Sequence, residues 1–339
     1  MCPMPIKVKL QINRTVDFKR LASAWSMLSL LLCASVPAAA DWPDHPLRLI
    51  VTFGAGSTPD IVARLVADKL QQSIGKPVVV INKPGAGGNL GTQLVADAPP
   101  DGYTFGLTIS GPLAANTLLF KNLPYNPQRD LGYITIAATQ PSILVVSAKS
   151  EIADMPSLLV RLQSGRGKYN FSSMGVGSIS HLAMEALAAS SGTEIVHVPY
   201  PSSAQAVTAL FSGQTQMAIL PAAAVIPYIR AGKLKALAVA TAKRASLIPE
   251  VPTLSEVGLK NVQGDAWTGF IIPAKTPEAI INRLEKEIVV IINSPEIRRK
   301  LKAQYMEPVG STPAEFRAAV RADLERWAPI IEKNHITLN

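Results

Sequence analysis

The stretch Leu47-Arg-Leu-Ile-Val-Thr-Phe53, Gly54-Ala-Gly-Ser-Thr-Pro59 and Asp60-Ile61, continuing at helical spacing to Gly75, decides how this chain is read. Leu47 to Phe53 is apolar and rich in β-branched residues, Gly54 to Pro59 is small and polar, and apolar residues recur at helical intervals from Ile61 onward. The order is strand, tight loop, helix. Thr58, Pro59 and Asp60 form a helix start whose first backbone N–H groups point into the loop, where an anion can accept them. The glycines let a ligand approach the backbone. On this element alone two readings stand: an anion cradle, or an ordinary βα turn of an α/β protein.

The design repeats. Pro77 to Ile81 reads as a strand and leads into Lys83-Pro-Gly85-Ala-Gly87-Gly88-Asn89, with a helix from about Leu90 to Ala96. This is not a dinucleotide fingerprint, because Leu90 stands where a glycine is required, and no lysine is placed for a P-loop. Tyr103 to Ile109 is a third strand, ending at Ser110. Residues 112 to 135 read as loop-rich, and Ile134 to Ala138 and Ile143 to Ser147 as the apolar runs beside the first crossing between lobes. Tyr169 to Ser172 is a strand running through Gly175-Val-Gly177-Ser178-Ile-Ser180-His181 into a helix capped by Ser178. Glu194 to Pro199, Gln216 to Leu220 and Lys235 to Ala240 are further strands. A capping box from Ser202 to Gln205 opens the helix after Tyr200. The return crossing falls just before the strand Trp267 to Pro273. Three terminal helices begin at Thr276-Pro-Glu278, Ser294-Pro-Glu296 and Thr312-Pro-Ala-Glu315, and their apolar faces, including Phe316, Val320, Leu324 and Trp327, read as core. Alternating strands and helices predict parallel sheets covered on both faces, with ligands beyond the carboxyl ends of the strands.

The bulk figures bound the rest. A chain of 339 residues, 48% apolar and 17% charged, fits two globular lobes. Residues 1–40 carry Lys19 and Arg20, an apolar segment from Leu21 to Val36 and the small residues Ala38, Ala39 and Ala40, the three parts of a secretory signal with cleavage near Ala40. Five of the 33 basic and one of the 24 acidic residues lie in that segment, so the remainder carries +5, not +9. Both cysteines, Cys2 and Cys33, lie there too, which leaves the mature chain no thiol chemistry. Without a dense basic cluster interleaved with aromatics, no nucleic acid partner is expected.

The polar residues hold no evident catalytic or metal set. His181 and His197 stand sixteen residues apart without a carboxylate pattern for a metal site, and no Gly-x-Ser-x-Gly elbow is present. No cofactor, no metal and no enzymatic activity are expected. For His181 a local packing role and a ligand contact stand side by side.

With these residues assembled, the mature chain resembles the Bug family, the extracytoplasmic solute receptors of tripartite tricarboxylate transporters. The likeness runs through Pro46-Leu-Arg-Leu-Ile-Val51, Lys83-Pro-Gly-Ala-Gly-Gly-Asn89, Pro100-Asp-Gly-Tyr103, Ser180-His-Leu182, Val196-His-Val-Pro-Tyr200, Val251-Pro-Thr253 and Pro308-Val-Gly-Ser-Thr-Pro313, in the family's order. It implies an α/β, two-lobed periplasmic binding protein of type II-like form with the ligand cleft between lobes. Residues 1–40 would be the signal peptide, 41–142 with 265–339 the first lobe, and 143–264 the second. It also implies that two strand-loop-helix elements, Gly54 to Asp60 and Gly175 to His181, grip a ligand carboxylate through backbone amides, small hydroxyls and waters. The resulting candidate contacts are Gly54, Ala55, Gly56, Ser57, Thr58, Asp60, Gly87, Gly88, Ser110, Gly177, Ser178, Ser180, His181, Tyr200 and Ser202. Pro59 departs from the family pattern and donates no N–H, so Ser57 or Thr58 takes any side-chain contact there. Gln216, Leu220 and Pro221 occupy a region where the family often has acidic residues, which favours a di- or tricarboxylate or an aromatic acid over an amino acid. The implied partners are the small organic carboxylate and either membrane components of the transporter or a sensor ectodomain, with the receptor a monomer in the periplasm. A secreted hydrolase is the remaining alternative.

Overall fold

The computed structural model describes residues 42–338 except 166 and 201; the signal peptide expected over residues 1–40 lies outside the described residues. Every described strand and helix lies within the compact unit His45–Asn339.

The opening unit forms as its sequence predicts: β1 (Leu47–Val51), then helix α1 (Thr58–Ile74), which ends on Gly75 in the left-handed conformation. It is followed by β2 (Val78–Asn82), a short 3₁₀ turn at Ala86–Gly88, α2 (Asn89–Ala96) and β3 (Thr104–Ile109). The segment read as loop-rich holds three short helical turns, Ser110–Leu113, Ala115–Leu119 and Pro127–Asp130, and β4 begins three residues earlier than expected (Leu131–Gln140). The turns escape a periodicity reading because four or five residues show no full helical repeat. Next come β5 (Ser142–Ser147), α3 (Met155–Ser164), β6 (Asn170–Ser173), α4 (Ile179–Ser191), β7 (Val196–Pro199), α5 (Ser203–Ser212), β8 (Met217–Pro221), α6 (Ala222–Arg230) and β9 (Leu234–Val239). The chain closes with β10 (Ala266–Pro273), α7 (Glu278–Asn293), α8 (Pro295–Ala303), β11 (Glu307–Pro308) and α9 (Pro313–Lys333). Of the three expected terminal caps, Ser294 and Thr312 act, Thr312 in a full box with Glu315. Thr276 does not, since α7 starts behind Pro277 with no side-chain cap.

The strands make two sheets, ordered β11-β4-β10-β3-β1-β2 and β7-β6-β8-β5-β9. Parallel pairing, expected throughout, holds only in part: β1 is parallel to β2 and β3, and β6 to β7 and β8. β10 is antiparallel to β3 and β4, and β5 to β8 and β9. The antiparallel strands are those that carry the chain between sheets. β4 leads through Pro141 alone into β5, and β10 returns from the second sheet; neither follows a helical crossover onto a neighbouring strand, the connection that makes neighbours parallel.

Helix α9 joins the two cores. Its first half puts Phe316 and Val320 among Tyr133, Trp267 and Ile271 of the first sheet. Its second half puts Trp327 and Ile331 among Phe171, Leu182 and Met217 of the second, together with Leu119. The apolar face that the sequence presents as one stripe thus serves two cores. Trp327 is fully buried. Trp327→Ala should therefore cost about 3–5 kcal/mol, read as a lower urea midpoint, and should loosen the second sheet's packing along with the helix.

Candidate functional site

The loops after β1 and after β6 are built alike. Gly56 and Gly177 have φ of +78° and +75°, a conformation that favours glycine. The N–H of Gly56 donates to Asp60 Oδ2 at 2.9 Å, and the N–H of Gly177 donates to His181 Nδ1 at 3.1 Å, each reaching the third residue of the following helix. Ser57 and Ser178 are the N-caps, accepting from the N–H groups of Asp60 and His181 at 3.4 and 3.3 Å. The N–H of Ser57 bonds to Gly54 O, and that of Ser178 to Gly175 O. Each loop is thereby fixed with the first N–H groups of its helix lacking a helical acceptor: Thr58 in one, Ile179 and Ser180 in the other. Pro59, standing where Ser180 stands, removes a donor from the first loop.

The two fastening side chains are secured differently. Asp60 also accepts from Arg64 Nε at 3.0 Å and from Asn82 Nδ2 at 2.9 Å, and Asn82 donates in turn to Phe53 O at 2.9 Å. Burial pushes the Asp60 carboxyl up, but the bonds from Arg64, Gly56 and Asn82 outweigh it and hold its pKa below the usual carboxylate value. His181 is buried, stacks on His197 with ring centroids 3.8 Å apart, and places Nε2 3.5 Å from Glu185 Oε1. His197 Nε2 lies 2.6 Å from Ser173 Oγ, which also accepts from the N–H of Gly175. This stack anchors the second loop from beneath.

Both loops open on one cleft between the two sheets. A chamber of about 390 Å³ is lined by Ser57, Thr58, Gln140 and Ser203, and a larger one of about 550 Å³ by Gly87, Asn116, Gly177, Ser178 and Ser180. Phe53, Ile109, Met174, Pro221 and Ala266 form walls common to both. Among the described residues, no ionisable side chain lines either chamber.

The structure thus brings six of the sequence candidates, Ser57, Thr58, Gly87, Gly177, Ser178 and Ser180, to the cleft wall. Gly54, Ala55 and Gly56 belong to the first loop but do not line the chambers. Asp60 and His181 sit behind the loops as their fasteners. Gly88 is a packing glycine, because a Cβ there would lie 2.8 Å from Pro112 Cγ and 2.9 Å from the Phe53 ring. Ser110 is buried behind Ile109 and Gly111, and its hydroxyl has no partner among the described residues. Tyr200 donates to Gln214 away from the cleft, and Ser202 caps α5, so that its neighbour Ser203 is the residue that lines the wall. Sequence reasoning missed Phe53 and Gln140 as wall residues, although Gln140 ends β4 and Phe53 lies two residues past β1, the region where α/β ligand sites gather. Pro221, which the sequence placed in a region bearing on ligand class, ends β8 and lines both chambers.

Comparison with known proteins agrees with this geometry. The family model described as tripartite tricarboxylate transporter family receptor matches residues 62–336. Protein BugT of Bordetella pertussis is 33% identical over 301 residues, spanning 88% of this chain and 92% of its own length. Among solved structures, R. palustris Rpa4515 with adipate is 30% identical with a TM-score of 0.75, covering 86% of this chain and 98% of that one. MatC from Rhodopseudomonas palustris with bound malate is 28% identical with a TM-score of 0.72, covering 86% and 100%.

The histidine stack has a consequence in acid. Burial, and then the adjacent His181 ring, lower the His197 imidazole from 6.5 to about 4. Between these values the unfolded chain binds a proton that the folded chain refuses, so this contribution is intact above pH 6.5 and is lost as pH falls toward 4. Asp323, which burial raises to about 6, works in the opposite direction over much of that range. The informative quantity is therefore a difference: the urea midpoint of His197→Gln should fall less between pH 6.5 and 4 than that of the wild type.

Proposed function

We propose that this chain, which belongs to the tripartite tricarboxylate transporter receptor family, captures a small organic carboxylate in the cleft between its two sheets and presents the closed form to the membrane components of a transporter. It is a solute-binding receptor of the family's type, and the family is periplasmic and non-enzymatic. The observation that carries the ligand assignment is the matched pair of fastened loops, one from each sheet, facing a cleft that no ionisable side chain lines among the described residues. Helix starts with free N–H groups carry partial positive charge and suit a carboxylate without needing a cationic side chain. The relatives whose structures hold adipate and malate support an organic acid as ligand.

On this reading residues 41–142 with 265–339 and residues 143–264 are the two lobes, hinged at Pro141 and at the return into β10. Ligand shifts the open–closed equilibrium only through contacts that it makes better in the closed form. Closure would bring both loops onto one carboxylate and exchange its hydration for amide and hydroxyl bonds. Residues 1–40 would direct export, and cleft walls without acidic side chains among the described residues favour an amine-free organic acid over an amino acid.

A thermal-shift screen of refolded protein against organic acids, amino acids and sugars tests the ligand class. Organic acids should raise the midpoint, and a response confined to sugars or cations would sink the proposal. Gly56→Val tests the loop. No atom lies within 4 Å of the added Cβ, so the substitution acts through the +78° backbone alone. It should weaken binding by roughly a hundredfold or more (~2.7 kcal/mol), while Ser57→Ala and Thr58→Ala should each cost about tenfold or less. Wild-type affinity in folded Gly56→Val, measured by calorimetry, would show that the first loop is not the cradle.

A further inference from the structure

The geometry points to a narrower ligand class: an acid with a single carboxylate and an uncharged, apolar body, with the Gln140 side-chain amide as an additional contact to the acid end. The inference rests on the receptor reading above and goes beyond it by excluding a second charge.

The argument begins with what the walls hold. The donors that can meet an anion without a cationic side chain are concentrated on the two loops. Closure commits them to one group. In the larger chamber the surface beyond the second loop is mainly apolar, with Phe53, Ile109, Phe120, Met174 and Leu338; its polar side chains are the uncharged Ser142 and Asn116, whose amide already donates to Asn89 Oδ1 and Gly87 O. A second carboxylate seated there would lose its hydration and find no cation, which is the costly arrangement for a buried charge. An aromatic or aliphatic body meets the opposite situation. Its apolar surface leaves water, and the Met174 thioether and the rings of Phe53 and Phe120 offer soft, polarisable contacts. An ammonium group is disfavoured for the same reason as a second carboxylate, because no acidic side chain lines either chamber among the described residues.

Gln140 supplies the independent observation. It ends β4 one residue before the crossing at Pro141, is 8% exposed and lines the smaller chamber with Ser57 and Thr58. Its Nε2 has no hydrogen-bond partner among the described residues. A buried amide nitrogen left unpaired is costly, so it calls for an acceptor that the protein does not supply. The amide borders the chamber, and a turn of the side chain that brings Nε2 to face it would relieve the unpaired nitrogen once an acceptor is bound there. A carboxylate held by the first loop supplies the missing acceptor. Because Gln140 sits at the crossing, that bond would also tie ligand to hinge.

The test uses matched probes on the full exported protein, freed of host ligand by unfolding and refolding. Hexanoate and adipate share a six-carbon chain and differ in the second carboxylate; 3-phenylpropanoate adds an aromatic body and glutamate adds an ammonium. Calorimetry should show hexanoate and 3-phenylpropanoate binding at least tenfold more tightly than adipate and glutamate. Gln140→Leu should weaken both monocarboxylates by about tenfold, and Gln140→Glu by more, through repulsion. Adipate binding as tightly as hexanoate, or more tightly, would overturn the single-charge inference while leaving the receptor reading intact. Unchanged affinity in Gln140→Leu would overturn the assignment of that amide. If none of the four acids binds and a sugar does, the receptor reading and this inference fall together.

Discussion

Each half of the site depends on one hydrogen bond, from the N–H of a left-handed glycine to the side chain of the third helical residue beyond it. Gly56 to Asp60 and Gly177 to His181 are that bond in its two versions. Without it the loop would have no reason to hold a conformation that leaves helix N–H groups facing the cleft. The requirement fixes several residues together. Glycine is needed for the positive φ, a serine for the cap, and an acceptor at the helix's third position. Aspartate and imidazole both accept, but their charge differs. Asp60 brings a negative charge close to the proposed anion site, and Arg64, with Nε 3.0 Å from both carboxylate oxygens, compensates it. The second loop meets the same need with a ring whose Nδ1 accepts in its neutral form, and it requires no counterion.

The second constraint is mechanical. Two sheets that move relative to each other in the proposed closure are nevertheless joined by β4 and β5 at Pro141, by the return into β10, and by α9, which sinks one half into each core. Where α9 passes from one core to the other lies a buried polar cluster. Asp323 accepts from Trp267 Nε1 at 2.9 Å and from Arg326 Nη1 at 2.8 Å. Burial pushes Asp323 up to about 6 against the pull of Arg326 and the Trp267 bond, and Asp265 adds to the rise. Burial likewise raises Asp265, which stands beside β10 at the return crossing. Directional bonds at this point give the helix a defined pivot where apolar packing alone would allow sliding.

Much of this was legible in the sequence, and what was not has physical causes. The opening strand, loop and helix declare themselves because β-branched residues, glycines and a Ser-Thr-Pro-Asp start each have one structural use there. Ser178 and Thr312 could be named as caps because capping depends on a few adjacent residues. Sheet direction was not legible, because period-two patterning is the same in parallel and antiparallel strands. Nor could the face Phe316, Val320, Leu324 and Trp327 reveal that it serves two cores. The roles of Asp60 and His181 were left open by the sequence for a related reason. A polar residue in a helix's first turn beside a glycine loop has the same sequence signature whether it faces a ligand or turns back to hold the loop. Gln140 was invisible because its meaning lies in a missing partner, which only coordinates reveal.

The two loops are therefore equivalent in construction but unequal in what they offer. Pro59 leaves the first helix start with the N–H of Thr58 and the hydroxyls of Ser57 and Thr58, whereas the second offers the N–H groups of Ile179 and Ser180. The hydroxyls of Ser178 and Ser180 are already engaged, with Gly175 O and with the N–H of Met174 respectively. The second loop is thus a rigid backbone donor and the first an adaptable hydroxyl donor. Such a division suits a receptor that must both recognise and release. Rigid amides are preorganised and lose little entropy when the anion arrives, while hydroxyls can exchange the ligand for water as the cleft reopens. A guanidinium in the cleft would bind an acid more strongly in both open and closed forms, and affinity shared equally between the two forms does not drive closure. In the proposed closure, neutral donors split between two sheets are complete only when the sheets approach, so walls that carry no counter-charge among the described residues are what would couple binding to movement.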